Sequence, residues 1–314
     1  MIKRFQNRVA ESRIMLPAVS LYGIVVWLLC GMIGHNWWVQ FACFALTSLL
    51  MMILNNQNVL IRIYSRSVSA AFIILSCAAC YLFPSLDGAI VQLCLVASLL
   101  TLYQTYQDRQ SAGLTFYTFM ILSLGSLFEV QALWFLPLYW IFMAFYVYSI
   151  STKTFLASLM GLILPYWFVA SWLLWREEGD LSYFITHFES LWSFTFPADY
   201  SYIPLTHYAV LAFIVILTIT GMIHFIRTSY NDKIRIRQIY YTFMFINFFA
   251  LVVLILQPQT ENIMLRAMII TTSPLIGHFV SLTHTRVTNF AFCVILAVSL
   301  ILTILSIWTS SLIF

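Results

Sequence analysis

The chain has 314 residues, of which 62% are apolar and only 8% are charged, and its mean hydropathy is +0.93. A soluble protein carries about 25% charged residues, because it needs them to cover its surface. This composition excludes a soluble domain and predicts a membrane protein whose apolar surface is solvated by lipid. The basic residues behind the net charge of +4 are spread over separate loops, so no nucleic-acid partner is expected.

Eleven apolar stretches approach the length of about 20 residues at which a helix crosses a bilayer. Helices are expected because lipid cannot satisfy an open strand edge, and no stretch shows the alternation typical of a β-barrel. The sequence therefore predicts an all-α, polytopic membrane helix bundle of about eleven transmembrane helices, forming a single domain over residues 1–314. The predicted spans are 14–33, 37–54, 67–83, 89–106, 114–131, 132–149, 154–175, 208–226, 239–257, 267–284 and 288–310.

Only the sequence FEVQA, from Phe128 to Ala132, separates the fifth and sixth spans, and it offers no Gly or Pro for a turn. The pair is predicted to be either a very tight hairpin or two short, tilted or broken helices. Glu129 lies in this connection. It is either the solvated tip of a hairpin or, in a re-entrant pair, a partly buried carboxylate suited to proton binding or general-base catalysis.

The distribution of Lys and Arg predicts the orientation, because basic residues collect in cytoplasmic loops. With the N-terminus in the cytoplasm, all of the 15 basic residues except Arg176 and Arg266 fall in inner loops. The first apolar run is too long for a signal peptide, so it is expected to remain as the first span. The C-terminus is then predicted to lie on the outer side.

The connection 176–207 is predicted to be a periplasmic loop that contains an amphipathic helix at the membrane surface. Asp180 is the expected N-cap of this helix. The loop is interpreted as a lid that seals the bundle or, alternatively, as a site for an amphiphile lined by aromatic side chains and by His187 or His207. The residues that share the apolar face of the helix are Leu181, Phe184, Ile185, Phe188, Leu191 and Trp192.

Polar residues in the tenth span recur at helical spacing, at Thr271, Pro274, His278 and Ser281. Such a face either lines a cavity or joins neighbouring helices by hydrogen bonds. Arg266, at the start of this span, and Arg176 are candidates for holding a phosphate on the outer leaflet. Each alternatively pairs with acidic residues beside it, which are Glu261 for Arg266 and Glu177 and Glu178 for Arg176.

If these residues form a functional site, Glu129 and Arg266 are expected to converge under the outer lid. An isolated charge in a poorly hydrated place is unfavourable, whereas a paired one is much less so. The two residues are therefore expected within one water-bridged contact of each other or of the face that carries His278. The candidate catalytic residues are Glu129 and His187, and the candidate substrate-binding residues are Arg176, Arg266, Thr271, His278 and Ser281.

The sequence contains no phosphate-binding loop, zinc-protease motif or serine-hydrolase motif. All six cysteines lie in predicted spans, and the CAAC motif from Cys77 to Cys80 is interpreted as a pair of small packing residues and not as a redox pair. Neither a cofactor nor a metal is expected.

Several features between Asn55 and Trp175 occur in a characteristic order, namely NNQN, RIYSRS, LGSLFEVQALWFLPLYWIFM, STKTF and LMGLILPYWF. In these features, which cover a little over a third of the chain, the sequence resembles a polytopic inner-membrane family of Bacteroidota with no assigned reaction. The resemblance implies the inner membrane of a Gram-negative cell envelope and brings no catalytic residues.

Three functions of different classes are compatible with these features. The lack of a catalytic constellation favours an accessory or structural protein of the envelope that binds membrane lipids or partner proteins. The number of spans and the polar face of the tenth span favour a transporter or flippase of an amphipathic or lipid-linked substrate.

The third function is a membrane-embedded transferase with a polyprenyl-phosphate donor, such as a lipid-linked glycan. Glu129 or His187 would act as its base, and Arg176 and Arg266 would bind the phosphate. The first outer loop, GHNWW, lacks the acidic residue that large glycosyltransferases of this type carry there.

Overall fold

The computed structural model describes residues 4–176, 182–192, 200 and 203–313. These residues form α-helices joined by short connections and 3-10 turns, and none of them is in a strand. The α-helices are α1 (Phe5–Ala10), α2 (Met15–Leu29), α3 (Trp38–Asn58), α4 (Ser67–Ala78), α5 (Leu86–Gln104), α6 (Ala112–Ser126), α7 (Leu136–Phe145), α8 (Thr152–Arg176), α9 (Ser182–Trp192), α10 (Leu205–Thr228), α11 (Ile234–Leu256), α12 (Glu261–Leu282) and α13 (Arg286–Ile313). The 3-10 helices are Cys80–Leu82, Val130–Phe135, Ser229–Asn231 and Pro258–Thr260.

Seven helices of the described chain are long and apolar enough to cross a membrane, and they are α3, α5, α8, α10, α11, α12 and α13. Four more apolar helical segments are shorter, at 10–17 residues, and they are Met15–Leu29, Ser67–Ala78, Ala112–Ser126 and Val130–Phe145. Every stretch predicted as a span is thus helical. The predicted number of about eleven full spans is not supported, because four of the segments are short.

Local backbone breaks explain two of the short segments. In the third predicted span, α4 ends at Ala78 because Ala79 leaves the helical conformation, and a 3-10 turn leads to Pro84, which has no N–H to continue a helix. The sixth predicted span starts as a 3-10 helix, Val130–Phe135, before α7 begins with Pro137 in its first turn. The fifth and sixth spans are therefore short and broken helices, which was one of the two predicted alternatives.

Helix α12 lies at the centre of the bundle. All of its residues from Ile263 to Ser281 are buried. Each of the other six long helices is only partly buried in its apolar stretch. Helices α4, α5, α10 and α11 pack against it. A helix surrounded on all sides must satisfy its polar side chains with neighbouring helices, so the partners of α12 determine what its polar residues do.

Close approach between α6 and α8 depends on Gly161. A Cβ atom at this position would lie 2.4 Å from the carbonyl oxygen of Phe116 on α6. Small residues of this kind let membrane helices pack closely. The same two helices are joined by Ser123, whose hydroxyl donates to the Leu162 carbonyl at 2.7 Å. Helix α8 is thereby fixed against α6.

The connections between helices gather at two ends of the bundle and alternate between these ends along the chain. At one end, which we call the basic end, the joining contacts are Gln6 with Val280, Asn7 with Thr283, Ser65 with Ala10, Arg62 with Asp232, and Gln107 with Val147. At the opposite end they are Gln40 with Pro84, Arg266 with Leu82, Asn262 with Glu129, His187 with Ser126, and His207 with Glu261.

Helix α9 confirms the predicted helix in the long connection at the opposite end, over Ser182–Trp192. The predicted cap Asp180 and the first apolar residue Leu181 lie outside the described residues. The rings of Phe184 and Phe188 lie 6.2 Å and 5.2 Å from the ring of Tyr166 on α8. The apolar face of α9 therefore packs toward the bundle.

Candidate functional site

Arg266, in the second turn of α12, is 4% exposed and makes three hydrogen bonds at the opposite end. Its Nε donates to Asn262 Oδ1 at 3.0 Å and its Nη1 donates to Gln92 Oε1 at 2.8 Å. Its Nη2 donates to the carbonyl oxygen of Leu82. All three acceptors are neutral. Removing such a guanidinium would leave several buried acceptors unpaired, which is strongly destabilising.

Glu129 is connected to Arg266 through Asn262. The amide Nδ2 of Asn262 donates to Glu129 Oε1 at 2.7 Å and to Ser85 Oγ at 2.9 Å, while its Oδ1 accepts from Arg266. The expected convergence of Glu129 and Arg266 is found, with a side chain in place of a bridging water. Burial raises the pKa of the Glu129 carboxyl, and the charge of Arg266 opposes this rise.

The first turns of α5 complete this arrangement. Ser85 Oγ caps α5 by accepting from the Gly88 amide at 3.1 Å. A Cβ atom at Gly88 would lie 2.6 Å from the side-chain amide of Asn262 and 2.7 Å from Arg266 Nε, so any larger residue would displace these side chains. We call Ser85, Gly88, Gln92, Glu129, Asn262 and Arg266 the arginine network.

The predicted alternative in which Glu261 pairs with Arg266 is not found. Instead, the Tyr81 hydroxyl donates to the Glu261 carboxylate at 3.0 Å, and His207 Nδ1 lies 3.1 Å from it. The rings of Tyr81 and His207 stack with centroids 3.6 Å apart. His207 is therefore held in a network of its own.

Arg176 and Arg266 are not brought together. Arg176 ends α8, is exposed, and places its guanidinium 5.0 Å from the centroid of the Trp172 ring. Arg266 is buried among neutral acceptors, so the described residues form no phosphate site shared by the two arginines. The neighbours proposed to pair with Arg176, Glu177 and Glu178, lie outside the described residues.

His278 lies at the basic end, about 18 Å along α12 from Arg266, given a rise of about 1.5 Å per residue over the intervening helix. Its Nε2 is 3.2 Å from Asp232 Oδ2, and Arg62 Nε is 3.0 Å from the other oxygen of the same carboxylate. The side chains of both His278 and Asp232 are fully buried. The convergence on Glu129 and Arg266 thus does not include the face that carries His278.

The other polar residues of α12 have separate partners. Thr271 donates to Ala267 within the helix at 2.8 Å, and the carbonyl of Pro274 accepts from Tyr240 at 3.3 Å. Ser281 donates to Ser67 at 2.8 Å. The bond of Thr271 stays within α12, whereas the bonds of Pro274 and Ser281 go to α11 and α4. Pro274 and Ser281 therefore match the predicted alternative in which the polar residues of this face join helices.

A groove of about 990 Å³ lies at the opposite end between α8, α9, α11 and the segment 133–137. No charged side chain lines it, and its hydrogen-bonding side chains include Tyr166 and Gln257. We call this cavity the groove. It is lined by Leu133, Trp134, Leu136, Pro137, Leu162, Ile163, Tyr166, Trp167, Ala170, Phe184, Phe188, Leu191, Trp192, Phe249, Val253, Leu256 and Gln257.

His187, on α9, lies beside the groove. Its Nε2 is 2.9 Å from the Ser126 carbonyl oxygen, and the Ser126 hydroxyl is 2.7 Å from the Tyr166 hydroxyl. Burial lowers the pKa of His187, and its hydrogen bond to Ser126 opposes this. The sequence pattern gave no signal for this contact, because the partner is a backbone carbonyl of α6.

Cys77 and Cys80 are both buried and free, and Cys80 Sγ lies 3.2 Å from Ser306 Oγ. Within the described residues, no group of three or more His, Cys, Asp or Glu side chains is arranged to hold a metal ion.

The helical fold and its seven apolar helices define a helical membrane protein. No family model, curated protein or solved structure matches the chain. The resemblance to a Bacteroidota inner-membrane family therefore stays a prediction, and function is argued from the groove and the buried polar residues.

Proposed function

We propose that the protein is an accessory protein of the bacterial inner membrane that binds lipid hydrocarbon in the groove without converting it. The groove carries this proposal. Its volume of about 990 Å³ is that of a ligand site, and no carboxylate, histidine, Lys or Arg lines it. Transfer or hydrolysis reactions need a positioned acid, base or nucleophile at the bound molecule, so binding without turnover fits the groove best.

Exposure of the rim supports access from the bilayer. Ile163, Trp167 and Trp192 line the groove and are 59%, 66% and 74% exposed. Apolar side chains this exposed are expected to face lipid in a membrane protein. The apolar face of α9 forms one wall, as an amphipathic helix at the membrane surface would.

The arrangement of charges supports an accessory role over transport. Arg266 and His278, the charged and ionisable residues in the buried part of α12, both contact polar groups on other elements. A transporter needs polar groups that a substrate can reach at membrane depth. Two cavities, of about 990 and 330 Å³, are lined almost wholly by apolar side chains.

The orientation and the number of crossings belong to the same proposal. Alternation of the connections between the two ends supports eleven passes of the chain, four of them through short helices. The basic end carries Lys and Arg, so it is proposed to face the cytoplasm, and the C-terminus to face the periplasm. A reporter active only in the cytoplasm should be active after Lys153 or Arg237 and inactive after Asp199, and the reverse pattern would overturn this orientation.

A groove-filling substitution tests the proposed function. Ala170 lines the groove and is small, so Ala170→Trp should fill it and reduce the lipid retained by the purified protein in native mass spectrometry. Leu156→Trp is the matched control, because Leu156 is an exposed apolar residue on the same helix that does not line the groove. Equal lipid retention by the two variants would contradict binding in the groove.

A transferase with a polyprenyl-phosphate donor is the second candidate, and the partly buried carboxylate of Glu129 favours it. Glu129 would act as a general base, because burial raises its pKa toward the working range of a base. The assay is product formation from a polyprenyl-phosphate donor by the wild-type protein and by Glu129→Gln. Turnover that is lost in Glu129→Gln would replace the accessory proposal with this one.

A further inference from the structure

Gln257 ends α11 at the rim of the groove, and its side chain has an unusual environment. It is 4% exposed and lines the groove, and its Nε2 has no hydrogen-bond partner among the described residues. Buried amide donors are nearly always paired. An unpaired amide at the wall of an otherwise apolar cavity therefore indicates a missing hydrogen-bond acceptor.

Tyr166, the other lining side chain considered above for hydrogen bonding, already has a partner. Its hydroxyl is 2.7 Å from the hydroxyl of Ser126. Among the described residues that line the groove, Gln257 carries the buried side-chain nitrogen that lacks a hydrogen-bond partner, so its amide can bind a polar group of whatever fills the groove. The terminal torsion of a glutamine is broad, so a modest rotation can turn this amide toward a ligand.

The position of Gln257 matches the layers of a lipid molecule. From Gln257, the groove follows α11 past Leu256 and Val253 to Phe249, eight residues deeper, which is about 12 Å along a helix. The wall is polar at the rim and apolar along this depth. A diacyl lipid has the same order, with ester carbonyls immediately outside its hydrocarbon chains.

We propose, resting on the function proposed above, that the groove binds a diacyl lipid whose ester carbonyl accepts a hydrogen bond from the Gln257 amide. A neutral donor suits a neutral carbonyl. A phosphate bound at this level would call for a cationic partner, and no Lys or Arg lines the groove. Selection therefore rests on the ester linkage and the chains, and the charge of the head group has little influence.

Competition between a diester and a diether phosphatidylglycerol of the same chain length tests this directly, because the two lipids differ only in the carbonyl oxygens. Native mass spectrometry of the full-length protein with equal amounts of both lipids measures the preference. One net hydrogen bond corresponds to roughly a threefold to tenfold preference for the diester lipid. Gln257→Leu should bring the ratio close to one while diether binding is unchanged.

Gln259→Leu is the matched control, since Gln259 is exposed, lies two residues away and does not line the groove. It should keep the preference of the wild-type protein. Equal binding of both lipids by the wild-type protein, still blocked by Ala170→Trp, would overturn the role of Gln257 and leave the proposed function intact. Binding that Ala170→Trp does not reduce would instead overturn the proposed function. The wild-type competition decides the role of Gln257 even if Gln257→Leu does not fold.

Discussion

The arginine network and the groove lie at the same end of the bundle, but they differ in whether their buried polar groups have hydrogen-bond partners. In the arginine network, a buried guanidinium has three acceptors, and Asn262 connects it to a carboxylate. In the groove, apolar side chains surround about 990 Å³ and one buried amide nitrogen is unpaired. The difference indicates that charge at membrane depth joins helices in this protein, whereas the space for a ligand is apolar.

Loss of Arg266 should produce the largest effect on stability. Arg266→Met removes the donor to Gln92, Asn262 and the Leu82 carbonyl. Arg266 is buried, so water does not readily replace the lost donor. Leaving these three buried acceptors unpaired, at roughly 1–3 kcal/mol each, is expected to lower the free energy of unfolding by about 3–5 kcal/mol. Titration with sodium dodecyl sulfate in mixed micelles measures the change.

Arg176→Met is the control for this substitution, because Arg176 is exposed and contacts the ring of Trp172. Its effect should stay within about 0.5 kcal/mol, as for most surface substitutions. Similar losses for the two arginines would show that the arginine network does not hold the helices together.

A single methyl group at Gly88 should have the next largest effect. Gly88→Ala places a Cβ atom 2.6 Å from the Asn262 amide and 2.7 Å from Arg266 Nε, so these side chains must leave their positions in the arginine network or α5 and α12 must move apart. Overpacking of this kind is expected to lower the free energy of unfolding by about 1–3 kcal/mol. Gly113→Ala, on α6, meets nothing within 4 Å and should be neutral or stabilising. A neutral Gly88→Ala would contradict the close contact between α5 and α12.

Neutralising the Asp232 carboxylate at the basic end should lower the free energy of unfolding by less than these substitutions do. Asp232→Asn removes the charge between Arg62 and His278, but an asparagine amide can still bond to both. The expected loss is about 1 kcal/mol in the same titration, which is the usual net value of a hydrogen bond. Asp108→Asn, at an exposed position, is the control. A loss as large as that for Arg266→Met would mean that both ends depend equally on charge.

Glu129 should show the smallest effect on stability and a distinct pH dependence. Burial raises its folded-state pKa above the unfolded value, so the folded state binds the proton more tightly. This contribution to stability is fully present below the unfolded pKa and is lost as pH rises through the folded pKa. Infrared spectroscopy should detect a protonated carboxyl band that persists to higher pH than ordinary carboxyls do and is absent in Glu129→Gln.

Glu189→Gln is the control for the infrared assignment, because Glu189 is exposed on α9. The band should remain in that variant. Its loss in Glu189→Gln, or its survival in Glu129→Gln, would show that Glu129 is not the protonated group.

Most of the helices could be predicted because the apolar stretches are long and the membrane requires helices. The amphipathic periodicity of α9 and the convergence of Glu129 with Arg266 were also readable, since both follow from spacing and from the unfavourable energy of an isolated charge. The lengths of the helices could not be predicted from the sequence. The break at Ala79 and the 3-10 helix Val130–Phe135 lie inside apolar runs, where composition carries no signal for a local change of backbone conformation.

The partners of Arg266 could not be predicted for a different reason. Gln92 on α5 and the Leu82 carbonyl lie far from Arg266 in the chain, and their contacts with it depend on packing that one sequence does not specify. Asn262 carried a weak signal, because it lies four residues before Arg266 and thus on the same helix face. Gly88 gave no signal beyond its small size. The groove itself could not be predicted, since it forms between four segments whose packing one sequence does not specify.

A cryo-electron microscopy structure of the protein in lipid nanodiscs tests lipid binding in the groove most directly. We expect an elongated density that runs from Gln257 at the rim to Phe249 along α11. In the arginine network, we expect the side chains to bond to one another and no ligand density. A groove filled by its own side chains, with a ligand density instead contacting Glu129 and Arg266, would contradict the proposed division between a structural polar network and an apolar binding site.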